Sequence, residues 1–294
     1  MTTTNIAFVL NPASGARRRR NIPLLIHRFF PHREGVCVTL YHTKSIDDAT
    51  VAAKEFADKG YDLVVAVGGD GTVNAVAQAL VNTNTALGIV PTGSGNGLAR
   101  HLRIPMNPCK ALALIAAAKT RRVDYGLMNG TPFFCTAGVG FDALIGNKFA
   151  KSSSRGFGSY LWQILREIIS YKAEEYDLTI DGKTIRRKAF LITFANASQW
   201  GNNACIAPSA SVLDGMLDVV VLSEYPLYRA PEFSIRLFTR RLDKFRHIEI
   251  FRCAAAAVDR AHSGYAHYDG EPSYTGLHID VQLVQGALKV AAGD

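Results

Sequence analysis

The chain has 294 residues, of which 48% are hydrophobic and 20% are charged, a composition typical of globular proteins that excludes a largely disordered chain. This length favours two domains over one. The net charge of +8 suits an acidic partner, such as nucleotide phosphates, an anionic membrane surface or nucleic acid. Charge alone does not separate these partners from a basic soluble enzyme.

The five cysteines are widely spaced and include no C-x-x-C pair. An odd number in this arrangement argues against a disulfide framework or a zinc knuckle and favours a reducing compartment. No apolar run approaches the roughly 18 residues needed to span a bilayer, and residues 1–11 do not have the pattern of a signal peptide. We therefore expect a cytoplasmic protein.

The first part of the chain predicts a parallel α/β layer. Short apolar runs alternate with Gly-rich or polar loops and amphipathic helices, and the predicted strands are residues 6–10, 36–41, 62–67 and 86–90. These runs are continuous rather than alternating, as in strands covered by helices on both faces. Ser45 or Asp47 is expected to cap the helix that begins near residue 47. A ligand is expected at the carboxyl ends of the strands.

The second half has a different pattern and predicts a mainly antiparallel β-sandwich. Residues 178–185 are typical of a hairpin with an Asp181-Gly182 turn, and further strands are expected near 190–194, 217–222, 247–251 and 278–284. One long helix is expected over 158–171. We predict an α/β nucleotide-binding domain at 1–126 and a β-rich substrate domain at 127–294, with residues 288–292 able to return to the first domain.

Three strand-to-helix turns of the first domain are rich in Gly, Ser, Thr and Asn, at residues 11–15, 68–72 and 91–97. Glycine allows the backbone to approach a ligand closely, and the first N–H groups of the following helix favour an anion. Three such turns predict a nucleotide phosphate site. The chain contains no G-x-x-x-x-G-K-[ST] motif, and its G-x-G pairs lack the acidic residue expected of a dinucleotide site.

Asp70 places a carboxylate inside the second of these loops. An acid there would repel a nucleotide unless a cation lies between them, so Asp70 is expected to help hold Mg²⁺ beside the phosphates. The alternative is that Asp70 only caps the helix that follows.

The motifs form an ordered set that covers nearly the whole chain. They are Asn11-Pro12-x-Ser14-Gly15, Gly68-Gly69-Asp70-Gly71-Thr72 with Asn74, Gly93-Ser94-Gly95-Asn96, Gly138-Val139-Gly140-Phe141-Asp142-Ala143, Ala207-Pro208-x-Ala210, Asp214-Gly215-x-Leu217 and Asp269-Gly270-Glu271. This set resembles the diacylglycerol-kinase catalytic family, which includes soluble bacterial lipid kinases and the sphingosine kinases. The 68–72 loop alone is shared with NAD kinases and phosphofructokinases, so the order of the motifs carries the resemblance.

The resemblance implies roles for individual positions. The implied nucleotide contacts are Asn11, Pro12, Ala13, Ser14, Gly15, Thr43, Gly68, Gly69, Asp70, Gly71, Thr72, Asn74, Gly93, Ser94 and Asn96. The catalytic base is expected to be Asp269 or Glu271, although Asp-Gly is also a common β-turn dipeptide. The implied structural magnesium site consists of Asp214 with the carbonyl groups of Ser211 and Met216, and Asp124 resembles a member of the acidic network beside it.

The resemblance implies an ATP- and Mg²⁺-dependent kinase that phosphorylates a hydroxyl of a diacylglycerol-like or sphingoid lipid at a membrane surface. It implies no nucleic-acid partner, and the sequence leaves both a monomer and a homodimer open. Two other functions remain open: a small-molecule kinase of the NAD-kinase type, and a nucleotide-binding module without catalysis.

Two positions depart from the family pattern. Gly97 stands where bacterial diacylglycerol kinases usually have an aspartate, so that the Gly93-Ser94-Gly95-Asn96 loop is closer to the sphingosine kinases. Residues 201–203, Gly-Asn-Asn, are less glycine-rich than in many relatives. Both departures leave the identity of the lipid and the structural metal open.

Peripheral membrane association is expected from two further features. Arginines 17–20 follow the first loop and suit an anionic leaflet, although a solvated helix face is the alternative. The helix around Trp162 has an apolar stripe that suits a membrane interface or a lipid groove, although such a stripe is more often part of a core.

Overall fold

The computed structural model describes residues 4–12, 21–31, 35–117, 119–144 and 171–293. The chain divides into two compact units. The first unit comprises Met1–Asp124, Gly201–Asn203 and Gln285–Asp294, and the second comprises Tyr125–Trp200 and Ala204–Val284. Two short parts of the second half of the chain therefore belong to the first unit. Residues 201–203 were not among those expected to join the first unit.

The first unit is a parallel sheet flanked by helices, which confirms the α/β prediction. The strand order is β2-β1-β3-β4, and β15 joins the β4 edge in parallel through the pair Val290↔Leu87. The elements are β1 (Thr4–Leu10), α1 (Ile22–Phe29), β2 (Val36–His42), α2 (Ile46–Asp58), β3 (Leu63–Gly68), α3 (Asp70–Leu80), β4 (Ala86–Pro91), α4 (Gly97–His101), α5 (Pro108–Ala117) and β5 (Thr120–Met128), which continues into the second unit.

The central strands and the helices have the burial that their sequences predict. Every residue of β3 and β4 is buried, as expected for continuous apolar strands with both faces covered. Helix α2 buries Ala49, Ala52, Ala53 and Phe56, which recur at the spacing of one helix face. Ser45 is its N-cap, because the Ser45 hydroxyl oxygen accepts a hydrogen bond from the Asp48 N–H at 3.1 Å.

The second unit is mainly antiparallel, as predicted. Its strand order is β14-β13-β7-β9-β8-β12-β15, and β10 pairs with both β9 and β11. Strands β7–β10, β12, β13 and β15 contribute buried side chains to one core, the arrangement of a β-sandwich. The elements are β6 (Thr131–Phe133), β7 (Thr136–Gly140), β8 (Glu174–Ile180), β9 (Lys183–Ala195), β10 (Leu217–Ser223), α6 (Ala230–Phe238), β11 (Ile248–Cys253), β12 (Ala255–Arg260), β13 (Gly264–Tyr268), β14 (Glu271–Thr275) and β15 (His278–Ala291), with 3₁₀ turns at Leu227–Arg229 and Leu242–Lys244.

Two hairpins of this unit turn on an Asp-Gly pair in the left-handed region. Asp181 and Gly182, with φ of 45° and 80°, join β8 to β9, which confirms the hairpin predicted there. Asp269 and Gly270, with φ of 50° and 88°, join β13 to β14 in the same way. Positive φ at both central residues is the requirement of a two-residue type I′ turn, which Asp-Gly satisfies at low cost.

The helix predicted around Trp162 lies outside the described residues, apart from its last position, Tyr171. Within the part of the chain that is described, no helix is both long enough and apolar enough to cross a bilayer.

Candidate functional site

The loops after β1, β2 and β4 lie at the carboxyl edge of the parallel sheet, because the backbone hydrogen bonds between neighbouring strands continue into these loops. The N–H of Asn11 donates to the carbonyl of Val67 at 3.1 Å, and the N–H of Thr43 donates to the carbonyl of Leu10 at 2.9 Å. The N–H of Thr92 donates in the same way to Gly68 at 2.8 Å. The first residues after β1, β2 and β4 are thus held beside the end of a neighbouring strand, as a ligand site in an open α/β sheet requires.

A side-chain hydrogen bond joins the first loop to helix α3. The Asn11 Nδ2 donates to the Thr72 hydroxyl oxygen at 2.9 Å, so two of the implied nucleotide contacts touch each other. Thr43 is buried and its hydroxyl donates to the Leu10 carbonyl, while Pro12 is exposed. The other predicted contacts of this loop, Ala13, Ser14 and Gly15, lie outside the described residues.

The second and third Gly-rich loops pack backbone against backbone. A Cβ atom on Gly93 would lie 2.6 Å from the Cα of Gly69, and one on Gly68 would lie 2.4 Å from the Thr72 hydroxyl oxygen. Both distances are far below van der Waals contact. Glycine at 93 is therefore needed to bring the two loops together, and glycine at 68 leaves room for Thr72 within the second loop.

Asp70 fastens the third loop to the second. The Asp70 Oδ2 accepts the Asn96 N–H at 2.8 Å, and the Asp70 Oδ1 accepts the Gly97 N–H at 2.7 Å. Gly95 leaves room for this contact, since a Cβ there would lie 2.6 Å from Asp70 Oδ2. Both hydrogen bonds of the Asp70 side chain therefore come from residues at the start of α4. The alternative expectation was that Asp70 caps α3, the helix that it begins.

The beginning of α3 offers backbone N–H groups at this edge. Its N-cap is Gly69, which has no side chain to accept a hydrogen bond, and the first helical bond runs from the Val73 N–H to the Gly69 carbonyl at 3.0 Å. The N–H groups of residues 70–72 have no acceptor within the helix, as in every first helical turn. Together with the helix dipole they form a site for an anion.

Asn96 adds a buried acceptor to the third loop. It occupies the left-handed region with φ of 53°, and its Nδ2 donates to the Gly93 carbonyl at 2.8 Å. Its Oδ1 is buried and has no hydrogen-bond partner among the described residues. A buried polar atom without a partner is costly, so the hydroxyl or amino group of a ligand would fit this position. Two further predicted contacts, Asn74 and Ser94, are half-buried and exposed, respectively.

Residues 201–203 complete the third loop, a contact that the sequence analysis missed. The Asn202 N–H donates to the Gly95 carbonyl at 2.9 Å. Arg100 donates through Nε to the same carbonyl at 2.9 Å and through Nη1 to the Asn203 Oδ1 at 3.1 Å. Gly201, Asn202 and Asn203 all have positive φ, of 119°, 51° and 66°. The signal was present in the sequence, because Gly and Asn are the residues that adopt this conformation most readily.

In the second unit, the Asp269 carboxylate also accepts hydrogen bonds from backbone N–H groups. Its Oδ2 accepts the Phe134 N–H at 2.7 Å, and its Oδ1 accepts the Cys135 and Thr136 N–H groups at 2.6 and 2.9 Å. Burial raises the pKa of Asp269 above its ordinary value, and these three N–H groups oppose the rise. The turn and the residues that precede β7 are thereby fixed to each other, while Glu271 is exposed at the start of β14.

His267 lies next to this turn and contacts both the turn and Asp142. The Gly270 N–H donates to His267 Nδ1 at 3.4 Å, and His267 Nε2 lies 3.0 Å from Asp142 Oδ2. The Thr193 hydroxyl donates to the same carboxylate oxygen at 2.9 Å. Gly138 must be a glycine here, since a Cβ would lie 3.0 Å from both the Asp142 and the His267 atoms.

At the implied magnesium site, the Asp214 carboxylate is already paired with a side-chain cation, that of Arg252. The Arg252 guanidinium makes a short contact from Nη2 to Asp214 Oδ2 and lies 3.3 Å from Asp218 Oδ1 through Nε. The other Asp214 oxygen accepts the Met216 N–H at 3.2 Å, and the Ser211 hydroxyl oxygen accepts the Leu213 N–H at 3.3 Å. This arrangement does not fit a magnesium ion, because the guanidinium opposes a second cation at the same carboxylate.

Asp124, the predicted neighbour of that metal, belongs to the first unit, where its Oδ1 accepts the Gly286 N–H at 2.7 Å. Among the residues that the structure describes, no group of three or more His, Cys, Asp or Glu side chains could hold a metal ion.

Two family models match the chain and together cover almost all of it. The diacylglycerol kinase catalytic domain matches residues 5–128, and the YegS C-terminal NAD kinase beta sandwich-like domain matches residues 135–292. The family resemblance that the motifs predict is confirmed by these matches.

Curated relatives agree with them. A diacylglycerol kinase of Bacillus subtilis is 30% identical over 74% of this chain and 73% of its own length. A diacylglycerol kinase of Mycobacterium tuberculosis is 32% identical over 79% of this chain and 77% of its own length. An uncharacterised protein of Synechocystis is 35% identical over 65% of this chain, and this match spans only 45% of that longer protein.

Solved structures share the fold. A diacylglycerol kinase from Bacillus anthracis superposes with a TM-score of 0.76 at 21% identity, covering 100% of this chain and 98% of the other. A yeast NADH kinase superposes with a TM-score of 0.54 at 13% identity, covering 100% of this chain and 84% of the other. At these identities the likeness concerns the fold alone.

Proposed function

Because the chain belongs to the diacylglycerol kinase family, we propose that it transfers the γ-phosphoryl group of ATP to a hydroxyl group of a diacylglycerol-like or sphingoid lipid. The observation that carries this proposal is the pair of interlocked loops at the start of α3. Asp70 bonds to the N–H groups of Asn96 and Gly97, and the first turn of α3 presents free N–H groups beside it.

The phosphates of ATP would bind at the first turn of α3, at the N–H groups of Asp70, Gly71 and Thr72. The Asn11 side chain is fixed by Thr72 at the same edge, and the unpartnered Asn96 Oδ1 would accept from a hydroxyl or amino group of the nucleotide. Thr43, Asn74 and Ser94 complete the proposed contacts. Mg²⁺ would accompany the nucleotide and offset the charge of the phosphates near the Asp70 carboxylate, which retains lone pairs beyond its two N–H bonds.

The base that takes the proton of the lipid hydroxyl is proposed to be Asp269, with Glu271 assisting. A carboxylate has about four lone-pair positions, and the three backbone N–H bonds of Asp269 leave one of them for a hydroxyl. Its raised pKa makes the carboxylate a stronger base than an ordinary aspartate. The turn conformation and the catalytic role are compatible, since the same hydrogen bonds hold the carboxylate in one orientation.

Phosphoryl transfer from radiolabelled ATP tests the proposal. Purified protein would be incubated with labelled ATP and, in separate reactions, with diacylglycerol, a sphingoid base and phosphatidylglycerol in mixed micelles, and with NAD in solution. We expect label in the diacylglycerol or sphingoid product. Label in NAD instead would support the NAD-kinase-like alternative, and ATP binding without label in any product would support a catalytically silent module.

A further inference from the structure

Helix α6 has apolar side chains on two opposite faces. Phe233 and Leu237 pack into the core of the second unit. Ile235 and Phe238, by contrast, are 64% and 46% exposed. At about 100° per residue, Ile235 and Phe238 point away from the side that Phe233 and Leu237 occupy. The outer face of α6 is therefore apolar, although no described residue of the second unit covers Ile235 or Phe238 fully.

The segment before α6 also has exposed apolar side chains. Leu227 and Tyr228 are 48% and 78% exposed. Single exposed apolar residues are ordinary in a soluble protein. Four large exposed apolar side chains within twelve residues are not ordinary. Such a group marks a surface that contacts another apolar phase.

The same segment is strongly basic. Residues 227–246 contain six arginines and lysines and two acidic residues, a net charge of +4, which is half of the net charge of +8 of the whole chain. Glu232 is already paired with Arg229 at 3.2 Å and with Arg236 at 2.8 Å. Arg241, Lys244 and Arg246 are exposed and form no ion pair with any other described residue. Three cationic side chains thus remain available to an anion.

One apolar side chain, Ile235, and two basic ones, Arg236 and Arg241, border one open hollow. It has a volume of about 690 Å³ and is lined by Glu232, Ile235, Arg236, Thr239 and Arg241. A lipid leaflet presents the matching combination, with anionic headgroups directly above hydrocarbon.

We propose that residues 227–246 are the surface with which this protein docks on an anionic lipid leaflet. Tyr228, Ile235 and Phe238 enter the interface, and Arg241 and Lys244 contact the headgroups. This inference rests on the proposed function, because an enzyme with a lipid substrate must reach the membrane. A second copy of the chain is the less suitable occupant, since pairing two such surfaces would bring one charge of +4 against another.

Vesicle co-sedimentation with matched variants tests the surface. The charge variant combines Arg241→Gln with Lys244→Gln, and its control combines Lys54→Gln with Lys183→Gln, two exposed lysines elsewhere that change the net charge equally. The apolar variant combines Ile235→Ser with Phe238→Ser, and its control is Leu24→Ser, a residue that is 71% exposed in the first unit. Vesicles contain either phosphatidylglycerol with phosphatidylcholine or phosphatidylcholine alone.

On anionic vesicles at low salt, we expect the charge variant to bind about 25-fold more weakly than the wild type, since each basic residue near a leaflet contributes about fivefold. The apolar variant should bind at least about 10-fold more weakly. Both controls should bind like the wild type, or within about a few-fold for the lysine pair. Binding of both test variants at the level of their controls would overturn the proposal. So would a dimer in sedimentation velocity that the two test variants abolish.

Phosphorylation of a water-soluble short-chain diacylglycerol separates this inference from the proposed function. The test variants should phosphorylate it at the wild-type rate, because residues 227–246 lie outside the proposed ATP and base positions. If the wild type phosphorylates no lipid but the vesicle results are as expected, the kinase proposal fails and the docking surface stands. If lipid phosphorylation is present but vesicle binding is unaffected by the test variants, only the docking surface fails.

Discussion

Two aspartates that the sequence identified for chemistry, Asp70 and Asp269, both bind backbone N–H groups of another segment. Asp70 accepts two of them, from residues 26 and 27 positions further along the chain, in the next loop of the same sheet. Asp269 accepts three, from residues 133–135 positions earlier. A carboxylate that a motif marks for chemistry can thus also fix the backbone geometry around it.

The two sites differ in what surrounds the carboxylate. Asp70 lies beside a helix start that has no side-chain cap, where it holds two Gly-rich loops together next to the N–H groups proposed to bind an anion. Asp269 lies in a hairpin turn, where burial raises its pKa. The comparison suggests a division of roles: Asp70 organises the nucleotide site, and Asp269 accepts the proton. Three experiments test this division, and a fourth tests the ion pairs of Arg252.

The largest effect is expected at Asp269. Asp269→Asn should lower kcat by about 10²–10⁴-fold while ATP still binds, because a carboxamide cannot act as a base. Glu271→Gln should have a smaller effect, since Glu271 is exposed and assists. Steady-state kinetics together with ATP titration of both variants would measure this. Wild-type kcat in both variants would leave the motif with the role of a turn only.

Asp70→Asn should lower kcat/KM by about 10²–10³-fold and weaken ATP binding. An asparagine has one acceptor oxygen where the aspartate uses two, so either the Asn96 or the Gly97 N–H loses its partner. Asp48→Asn is the matched control, because Asp48 also accepts an N–H, that of Lys44 at 2.7 Å, in the first turn of α2. Equal losses of activity in both variants would show a general effect on the fold rather than a role in the site.

The pH dependence distinguishes burial from hydrogen bonding at Asp269. Its pKa is raised in the folded protein, so the folded state binds the proton more tightly than the unfolded state does. The stability gained from this proton is fully present below the unfolded pKa and is lost as the pH rises through the folded pKa. Urea unfolding across this range should therefore show the wild type losing stability relative to Asp269→Asn as the pH rises. The opposite slope would mean that the three N–H bonds outweigh burial. In the same window, kcat of the wild type should fall as the pH is lowered.

The smallest effect is expected at Arg252, the side-chain cation that is paired with Asp214 and Asp218. Arg252→Gln should lower the free energy of unfolding by about 1–3 kcal/mol, because it leaves the buried Asp218 with the Ser209 hydroxyl but without its cation. Arg187→Gln, which breaks a more exposed pair with Glu249, should cost less than about 1 kcal/mol. Unfolding would be measured with and without Mg²⁺. The wild type should not respond to Mg²⁺, and a clear stabilisation of the wild type would contradict the view that Arg252 replaces the metal at Asp214.

Local patterns in the sequence predicted the local structure of this chain. The parallel strands, the Ser45 cap and the Asp181-Gly182 hairpin each depend on a few neighbouring residues, and all were predicted. The Gly-rich loops after β3 and β4 were predicted for the same reason, since glycine and the order strand-loop-helix are visible in a short window.

The partners of the key side chains could not be predicted because they are distant in the chain. Nothing near Asp70 indicates that its oxygens bind Asn96 and Gly97, and nothing near Asp214 indicates Arg252. Arg252 reaches these carboxylates because the β10–β11 register places it opposite Asp218. That register follows from the packing of the whole sheet, which no single motif encodes.

The return of residues 201–203 and 285–291 to the first unit has a consequence for the order in which this chain folds. During synthesis, the stretch up to Asp124 emerges with the third loop still lacking the bond from Asn202 and with the β4 edge still lacking β15. About a quarter of the chain must follow before the Asn202 bond can form, and more than half before β15 can pair with β4. Such distant closures are slow steps in folding. The first unit, although it begins first, is therefore completed last, because its final residues follow Val284, the last residue of the second unit.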